Sequence, residues 1–304
     1  MKWNKALLIY NSHAGSIGKE TIEEKLQQCV PVLSPHIKEF RIIPTEKQEE
    51  ATKLCRQYGE EMDVVFILGG DGTVHECING LVELEKRPLI GILPGGTCND
   101  FSNELHIPQN LTKAAETFLN QETKHVDVGR VNEEYFLNFC GLGLIAQTSQ
   151  NIDNAEKSAM GKISYYLSAL RTLNDVDPIS YKITCDDQVT EGEAALLLIA
   201  NGRYLGTREL PFKEISSNDG LFDVVVVKET SLAVFKELLL NKKELDSHIN
   251  ADQDIVYKQA RAITVETKGR EEADTDGEVL TRTPLQISLL PLRLEFLWSS
   301  RPEK

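Results

Sequence analysis

The 304-residue sequence is short of positive charge: 33 Lys and Arg stand against 47 Asp and Glu, for a net charge of −14. Such a chain repels a phosphate polymer, which argues against nucleic acid as its main partner. It also has no general attraction to an anionic membrane, although a local basic patch would differ. No apolar run approaches the ~20 residues that span a bilayer, and the first residues lack the pattern of a signal peptide. There is no C-x-x-C pair and no histidine cluster at zinc spacing. Cys29, Cys55, Cys77, Cys98, Cys140 and Cys185 are scattered and read as reduced packing residues. Internal repeats and low-complexity tracts are also missing. What remains is the expectation of a cytoplasmic globular chain, 41% hydrophobic and long enough for two domains.

The most informative stretch present is Asp63 to Asn79. An apolar run, Val64 to Leu68, stops at Gly69-Gly70-Asp71-Gly72-Thr73, and a helical pattern follows. Five continuous apolar residues bounded by glycines read as a strand buried on both faces, as in a parallel sheet. Glycines let the backbone turn sharply and let its N–H groups approach a ligand. Thr73 suits a helix N-cap, where unpaired N–H groups favour an anion. Asp71 repels phosphate unless a metal ion lies between them, so the combination suggests a nucleotide phosphate site with Mg²⁺. A tight strand-to-helix turn with no ligand is the other reading of this loop alone.

Around it the first half alternates strands and helices. Strands are expected at Ala6–Tyr10, Ile37–Ile43 and Leu89–Leu93, and helices from about Lys19 to Leu33 and from about Gln48 to Tyr58, with Gly59 as C-terminal cap. The loop after the first strand, Asn11-Ser12-His13-Ala14-Gly15-Ser16, is small and polar. The strand at Leu89 ends in Pro94-Gly95-Gly96-Thr97-Cys98-Asn99-Asp100-Phe101. Two successive strands thus end in glycine-rich loops carrying Thr and Asp, and in an open parallel sheet such loops meet at the carboxyl edge where ligands bind. This half is α/β. From Val126 short strand-like runs multiply: Tyr135–Cys140, Ser180–Cys185, Ala194–Ala200, Leu221–Val227, Ala262–Thr267 and Leu292–Trp298. Met160–Leu173 and Ser231–Leu240 look like inserted helices. The second half is read as a mainly antiparallel β-sandwich, with the division placed at 1–125 and 126–304. Ser216-Ser217-Asn218-Asp219-Gly220 reads as a turn or a metal loop. Glu278 by itself reads as an exposed residue of a hairpin turn.

Taken together, Asn11 to Gly15, Gly69 to Thr73 with Glu76 and Asn79-Gly80, and Pro94 to Phe101 resemble the diacylglycerol kinase catalytic-domain family. That family includes bacterial soluble lipid kinases and the sphingosine and ceramide kinases. The resemblance continues in order through Val126-Asp127-Val128-Gly129, Ser216 to Asp223, and Asp276-Gly277-Glu278, and so covers nearly the whole chain. The loop at Gly69 is shared with NAD kinases and related phosphofructokinases; the later elements favour the lipid-kinase branch. Ser12 stands where relatives often have Pro, and His75 where many have Asn.

The resemblance implies an NAD kinase/diacylglycerol kinase-like α/β domain that binds ATP and a sandwich domain that binds lipid, with the last segment packing back on the first domain. ATP would be held by Asn11, Ser12, His13, Ala14, Gly15, Thr45, Gly69, Gly70, Asp71, Gly72, Thr73 and Thr97. Asp71, with Asp100 and Asp127, would organise the catalytic Mg²⁺, and Glu278 would take the proton from the acceptor alcohol. A structural Mg²⁺ would use main-chain oxygens of Ser216 and Leu221 and the carboxylate of Asp219. The implied activity is ATP- and Mg²⁺-dependent phosphorylation of diacylglycerol or a similar lipid alcohol, in lipid metabolism and phospholipid biosynthesis. Membrane contact would be transient and would rest on apolar contact or a local patch such as Lys157–Lys162. A homodimer is left open. The alternatives are an NAD kinase-like small-molecule kinase and a non-catalytic ATP-binding regulator; Asp71, Asp100, Asp127 and Glu278 argue against the second.

Overall fold

The computed structural model describes residues 1–12, 20–146, 177–241 and 255–300. The helix expected over Met160–Leu173 and the patch Lys157–Lys162 lie outside the described residues. The chain divides into two units, residues 1–126 with 292–304, and residues 127–291.

The first unit is a parallel sheet with helices between its strands. In chain order it contains β1 (Trp3–Asn11), α1 (Ile22–Leu33), β2 (Ile37–Thr45), α2 (Glu50–Tyr58), β3 (Val64–Gly69), α3 (Asp71–Leu81), β4 (Leu89–Pro94), α4 (Asp100–Glu104) and α5 (Leu111–Phe118). Strand order is β2-β1-β3-β4, followed by the end of the last strand of the chain, which pairs in parallel with β4 through Phe296 and Ile90. β1 has β2 on one side and β3 on the other, so strand order reverses beside β1, with Asn11 and Gly69 at the carboxyl ends of the two strands that flank the reversal. Every residue of β3 is buried, as its unbroken apolar run requires. Phe66 at its centre meets Trp3 edge-on at 5.5 Å and stacks with Phe118 at 5.8 Å between ring centroids.

Local signals set the helix ends. α1 starts at Ile22 rather than Lys19 because Thr21 and Glu24 close a capping box, with Glu24 N donating to Thr21 Oγ1 at 3.2 Å and Thr21 N to Glu24 Oε2 at 2.7 Å. Gly59 does not terminate α2 by a left-handed turn: its φ is −57°, and the chain continues into a 3₁₀ turn over Gly59–Glu61. Gly59 is the C-cap of α2, its N–H donating to Cys55 O, and a Cβ there would lie 2.5 Å from Leu84 Cδ1, so that side chain would have to shift.

The second unit is built from antiparallel strands: β5 (Thr123–Val131), β6 (Glu134–Phe136), β7 (Phe139–Gly143), β8 (Ile179–Cys185), β9 (Gln188–Ala194), β10 (Leu196–Ala200), a two-stranded ribbon β11 (Tyr204–Leu205) and β12 (Arg208–Glu209), β13 (Phe222–Val227), β14 (Ile255–Ala260), β15 (Ala262–Thr267), β16 (Glu272–Thr275), β17 (Glu278–Arg282) and β18 (Leu285–Leu297), with α6 (Leu232–Asn241) after β13. One sheet runs β14-β13-β10-β7-β16-β17; the other contains β18, β15, β8 and β9, with β5 and β6 attached through β18. A single apolar cluster joins both, including Phe136, Ile183, Ile263 and Ile287 from one sheet and Leu197, Ile199, Phe222 and Val224 from the other. This is a sandwich core.

Two expected strands are broken. The Tyr135–Cys140 run splits into β6 and β7 because the backbone between them turns its N–H groups toward Asp276. The Ala194–Ala200 run changes sheets at Ala195, whose N–H donates to Val227 O at 2.9 Å. Among the described residues no helix is long and apolar enough to cross a membrane.

Candidate active site

The two glycine loops of the first unit lie backbone against backbone. Gly95 N donates to Gly69 O at 2.9 Å. A Cβ on Gly96 would lie 2.5 Å from Gly70 Cα, and one on Gly95 would lie 3.1 Å from Gly69 N. At Gly96 only glycine permits this approach, so part of the glycine motif is explained by loop-on-loop packing. The N-cap of α3 is Gly70, not Thr73. Thr73 sits inside the first turn and packs over Gly69, with its Cβ 2.5 Å from where a Gly69 Cβ would be.

Asp71 joins the two loops chemically. Its Oδ2 accepts the Asn99 N–H at 3.0 Å and its Oδ1 accepts the Asp100 N–H at 2.8 Å. Asn99 is held in the left-handed region, φ 53° and ψ 45°. Its side chain closes on Gly96 from both sides, accepting Gly96 N–H at 2.9 Å and donating to Gly96 O at 3.1 Å. The N-D pair therefore fixes the second loop relative to the helix that starts at the first. Asp100 itself is fully buried. Thr97 is exposed on the same loop.

Asn11 and Ser12 end β1. Ser12 is tied to Thr45 at the end of β2, with its N–H and its hydroxyl both donating to Thr45 O at 2.9 Å. The Thr45 hydroxyl donates to Tyr10 O at 3.3 Å. His13, Ala14 and Gly15 lie outside the described residues. Glu76 and His75 serve the packing of α3: Glu76 Oε2 accepts the Ala51 N–H at the start of α2 at 3.3 Å, and buried His75 meets Asn79 Nδ2 at 3.3 Å.

The remaining site residues belong to the second unit. Asp127 is fully buried, and its Oδ2 accepts the Gly220 N–H at 2.7 Å while its own N–H donates to Ser217 O at 2.7 Å. It pins the loop Ser216–Leu221 at two points. In that loop Asp219 Oδ1 accepts the Leu221 N–H at 3.0 Å, an Asx-type turn. Partial desolvation pushes the Asp219 pKa up, the Leu221 N–H pulls it back, and the nearby Asp127 adds to the rise. Asp223, two residues on, is fully buried. Its Oδ1 accepts the Tyr257 hydroxyl and, at 3.0 Å, Gln259 Nε2, while Oδ2 is buried without a partner. Burial raises its pKa to about 6, against the pull of these two donors, and Asp219 and Glu214 raise it further.

Glu278 is half-buried and opens β17 directly after a two-residue hairpin turn. Asp276 and Gly277 have φ of 52° and 94°, the pattern of a type I′ turn. Asp276, almost fully buried, accepts three backbone N–H groups: Leu137 at 2.7 Å, Asn138 at 2.8 Å and Phe139 at 3.0 Å. Gly277 N donates to Asp274 Oδ1 at 2.8 Å. The hairpin that carries Glu278 is thus fastened from both ends. Sequence reasoning did not assign Asn99, Asp223 or Asp276. The motifs containing Asn99 and Asp276 were visible, but a buried carboxylate that gathers backbone N–H groups has no local sequence signal.

The donor sets suit Mg²⁺ in two different ways. Each oxygen of Asp71 accepts a backbone N–H. Among the described residues no group of three or more His, Cys, Asp or Glu is gathered to cage an ion. An open site with one or two carboxylates is what Mg²⁺ uses when phosphates and water complete its shell. At the second loop Asp127 lies near enough to Asp219 to raise its pKa, and Ser216, Asp219 and Leu221 are the residues that would hold an ion there.

Comparison with known proteins agrees with this architecture. The profile of the diacylglycerol kinase catalytic domain matches residues 5–131, and that of the YegS C-terminal NAD kinase beta sandwich-like domain matches residues 140–298. A protein of Staphylococcus aureus strain Mu3 named "Putative lipid kinase" is 32% identical over 301 residues, 97% of each chain. The crystal structure of a diacylglycerol kinase from Bacillus anthracis strain Sterne is 40% identical and superposes with a TM-score of 0.86, covering 99% of this chain and 98% of that one. Paired glycine loops joined through Asp71, an antiparallel sandwich ending in Asp276-Gly277-Glu278, and relatives that match almost end to end place this chain in the diacylglycerol kinase catalytic-domain family, a family of kinases.

Proposed function

We propose that this kinase transfers the γ-phosphoryl group of ATP to the hydroxyl of a lipid alcohol, diacylglycerol or a close analogue. The observation that carries the reading is Asp71, a carboxylate at the first turn of α3, held between two glycine loops beside the strand-order reversal. Phosphoryl transfer asks for positioning and charge neutralisation more than covalent chemistry. The N–H groups opening α3 would face phosphate oxygens, with Asn11, Ser12, Thr45 and Thr97 completing the nucleotide contacts. Bound Mg²⁺ would neutralise phosphate charge. Asp71 would hold it, supported by Asp100 and Asp127, while Ser216, Asp219 and Leu221 would hold a second ion that stiffens the loop before β13. Glu278 would accept the alcohol proton, and its fastened hairpin suits a group that must hold a fixed position. The apolar sandwich is the proposed host of the acyl chains.

The test presents radiolabelled ATP and Mg²⁺ with NAD and with liposomes containing diacylglycerol, another glycerolipid or a sphingoid base, at low and moderate salt. Labelled lipid phosphate is expected, with liposome binding little affected by salt because the chain is acidic. Turnover of NAD with no labelled lipid would overturn the reading.

A further inference from the structure

The two glycine loops carry Asp71 and Asp100 but no Lys or Arg, and a nucleotide triphosphate needs positive charge. The structure supplies a candidate from elsewhere in the chain. Lys25 lies in the first turn of α1, and its Nζ donates to Gly95 O at 2.8 Å across 70 residues of sequence. Gly95 is the residue whose N–H bonds Gly69, so this ammonium stands on the junction of the two glycine loops.

Its position is electrostatically unfavourable in the free protein. A cation in the first turn of a helix faces the positive end of the dipole. Lys25 is half-buried, which lowers its pKa; Glu20 offsets this only in part. Among the described residues no carboxylate lies within ion-pair distance of it, although the chain carries a net charge of −14. Holding one carbonyl uses one of three ammonium protons. A neutral hydrogen-bond donor would have held Gly95 at less cost.

We infer that Lys25 is a phosphate-contacting residue of the nucleotide site, presenting its two remaining protons to the phosphate chain while Gly95 O fixes its position. The inference rests on the proposed use of ATP and adds the cation that the loop motifs lack.

Calorimetric titration of the full chain with ATP and with adenosine, alongside thermal unfolding, tests it. Lys25→Met should weaken ATP roughly ten- to a hundredfold, the loss of one charged hydrogen bond. Adenosine affinity should stay within about twofold, since no phosphate contact is involved, and Lys25→Arg should recover most of the ATP loss. ATP binding by Lys25→Met at wild-type strength overturns the inference alone. Equal losses for ATP and adenosine overturn it as well, because they mark a collapsed loop rather than a lost phosphate contact. Wild-type protein that binds no ATP overturns the nucleotide reading and this inference with it.

Discussion

Asp71 Oδ1 accepts the backbone N–H of Asp100 at 2.8 Å, so the first residues of α3 and α4 are joined by a charge-assisted bond between the two glycine loops. Asp71→Asn preserves shape but turns an amide N–H₂ toward one of the two backbone donors. We expect a loss of about 1.5–3 kcal/mol in stability and a fall in turnover of at least ~10²-fold. Thermal unfolding and steady-state kinetics measure the two effects separately. An unchanged melting temperature would mean that the loops hold together without this carboxylate.

Glu278→Gln should leave the hairpin intact, because Asp274 and Asp276 hold the turn. Turnover should fall by roughly 10²–10⁴-fold, the usual contribution of a general base. ATP affinity and melting temperature should barely change. Near-normal turnover at saturating lipid would return Glu278 to the role of a plain turn residue.

Asp219→Ala removes the carboxylate that would hold the second Mg²⁺. In nucleotide-free protein, added Mg²⁺ should raise the melting temperature of wild type and have a smaller effect on the variant. Equal responses would leave Ser216–Leu221 an Asx turn and nothing more.

Asp223 predicts a pH dependence. Its pKa is about 6 in the folded chain against 3.8 unperturbed, so between these values the folded state binds more protons than the unfolded state. Stability from this group is therefore present below the lower value and is lost as pH rises through about 6, on the order of 3 kcal/mol in total. Asp223→Asn has no proton to lose. Denaturant unfolding in chelator should find the variant gaining on wild type between about pH 4 and pH 7. A constant difference across that range would contradict the assignment.

How legible the molecule was in its sequence depended on the range of the forces involved. β3 was readable because a buried parallel strand needs an unbroken apolar run, and Ala262–Thr267 because its buried residues alternate. The split between β6 and β7 was not readable, since the carboxylate that causes it comes from Asp276, 139 residues beyond Leu137. The glycine loops were found for a partly different reason from the one that holds them. Gly70, Gly95 and Gly96 permit ligand approach in principle, yet each also packs tightly on the opposite loop, and at Gly96 a Cβ would lie 2.5 Å from Gly70 Cα, a distance no side chain would allow. Thr73 had the chemistry of an N-cap, but Gly70 had already opened the helix three residues earlier.

The last strand has a consequence for biosynthesis. β18 begins by pairing Leu285–Ser288 with β15 and ends by laying Phe296 beside Ile90 of β4. Leu294, Phe296 and Leu297 are buried, and Phe296 meets Phe101 edge-on at 5.2 Å. During translation, β1 to β4 therefore emerge well before the strand that completes their sheet. Meanwhile β4 presents an open edge that invites pairing with another chain. A chain cut before residue 292 would leave that edge of β4 uncovered, which ties the first unit to the end of β18.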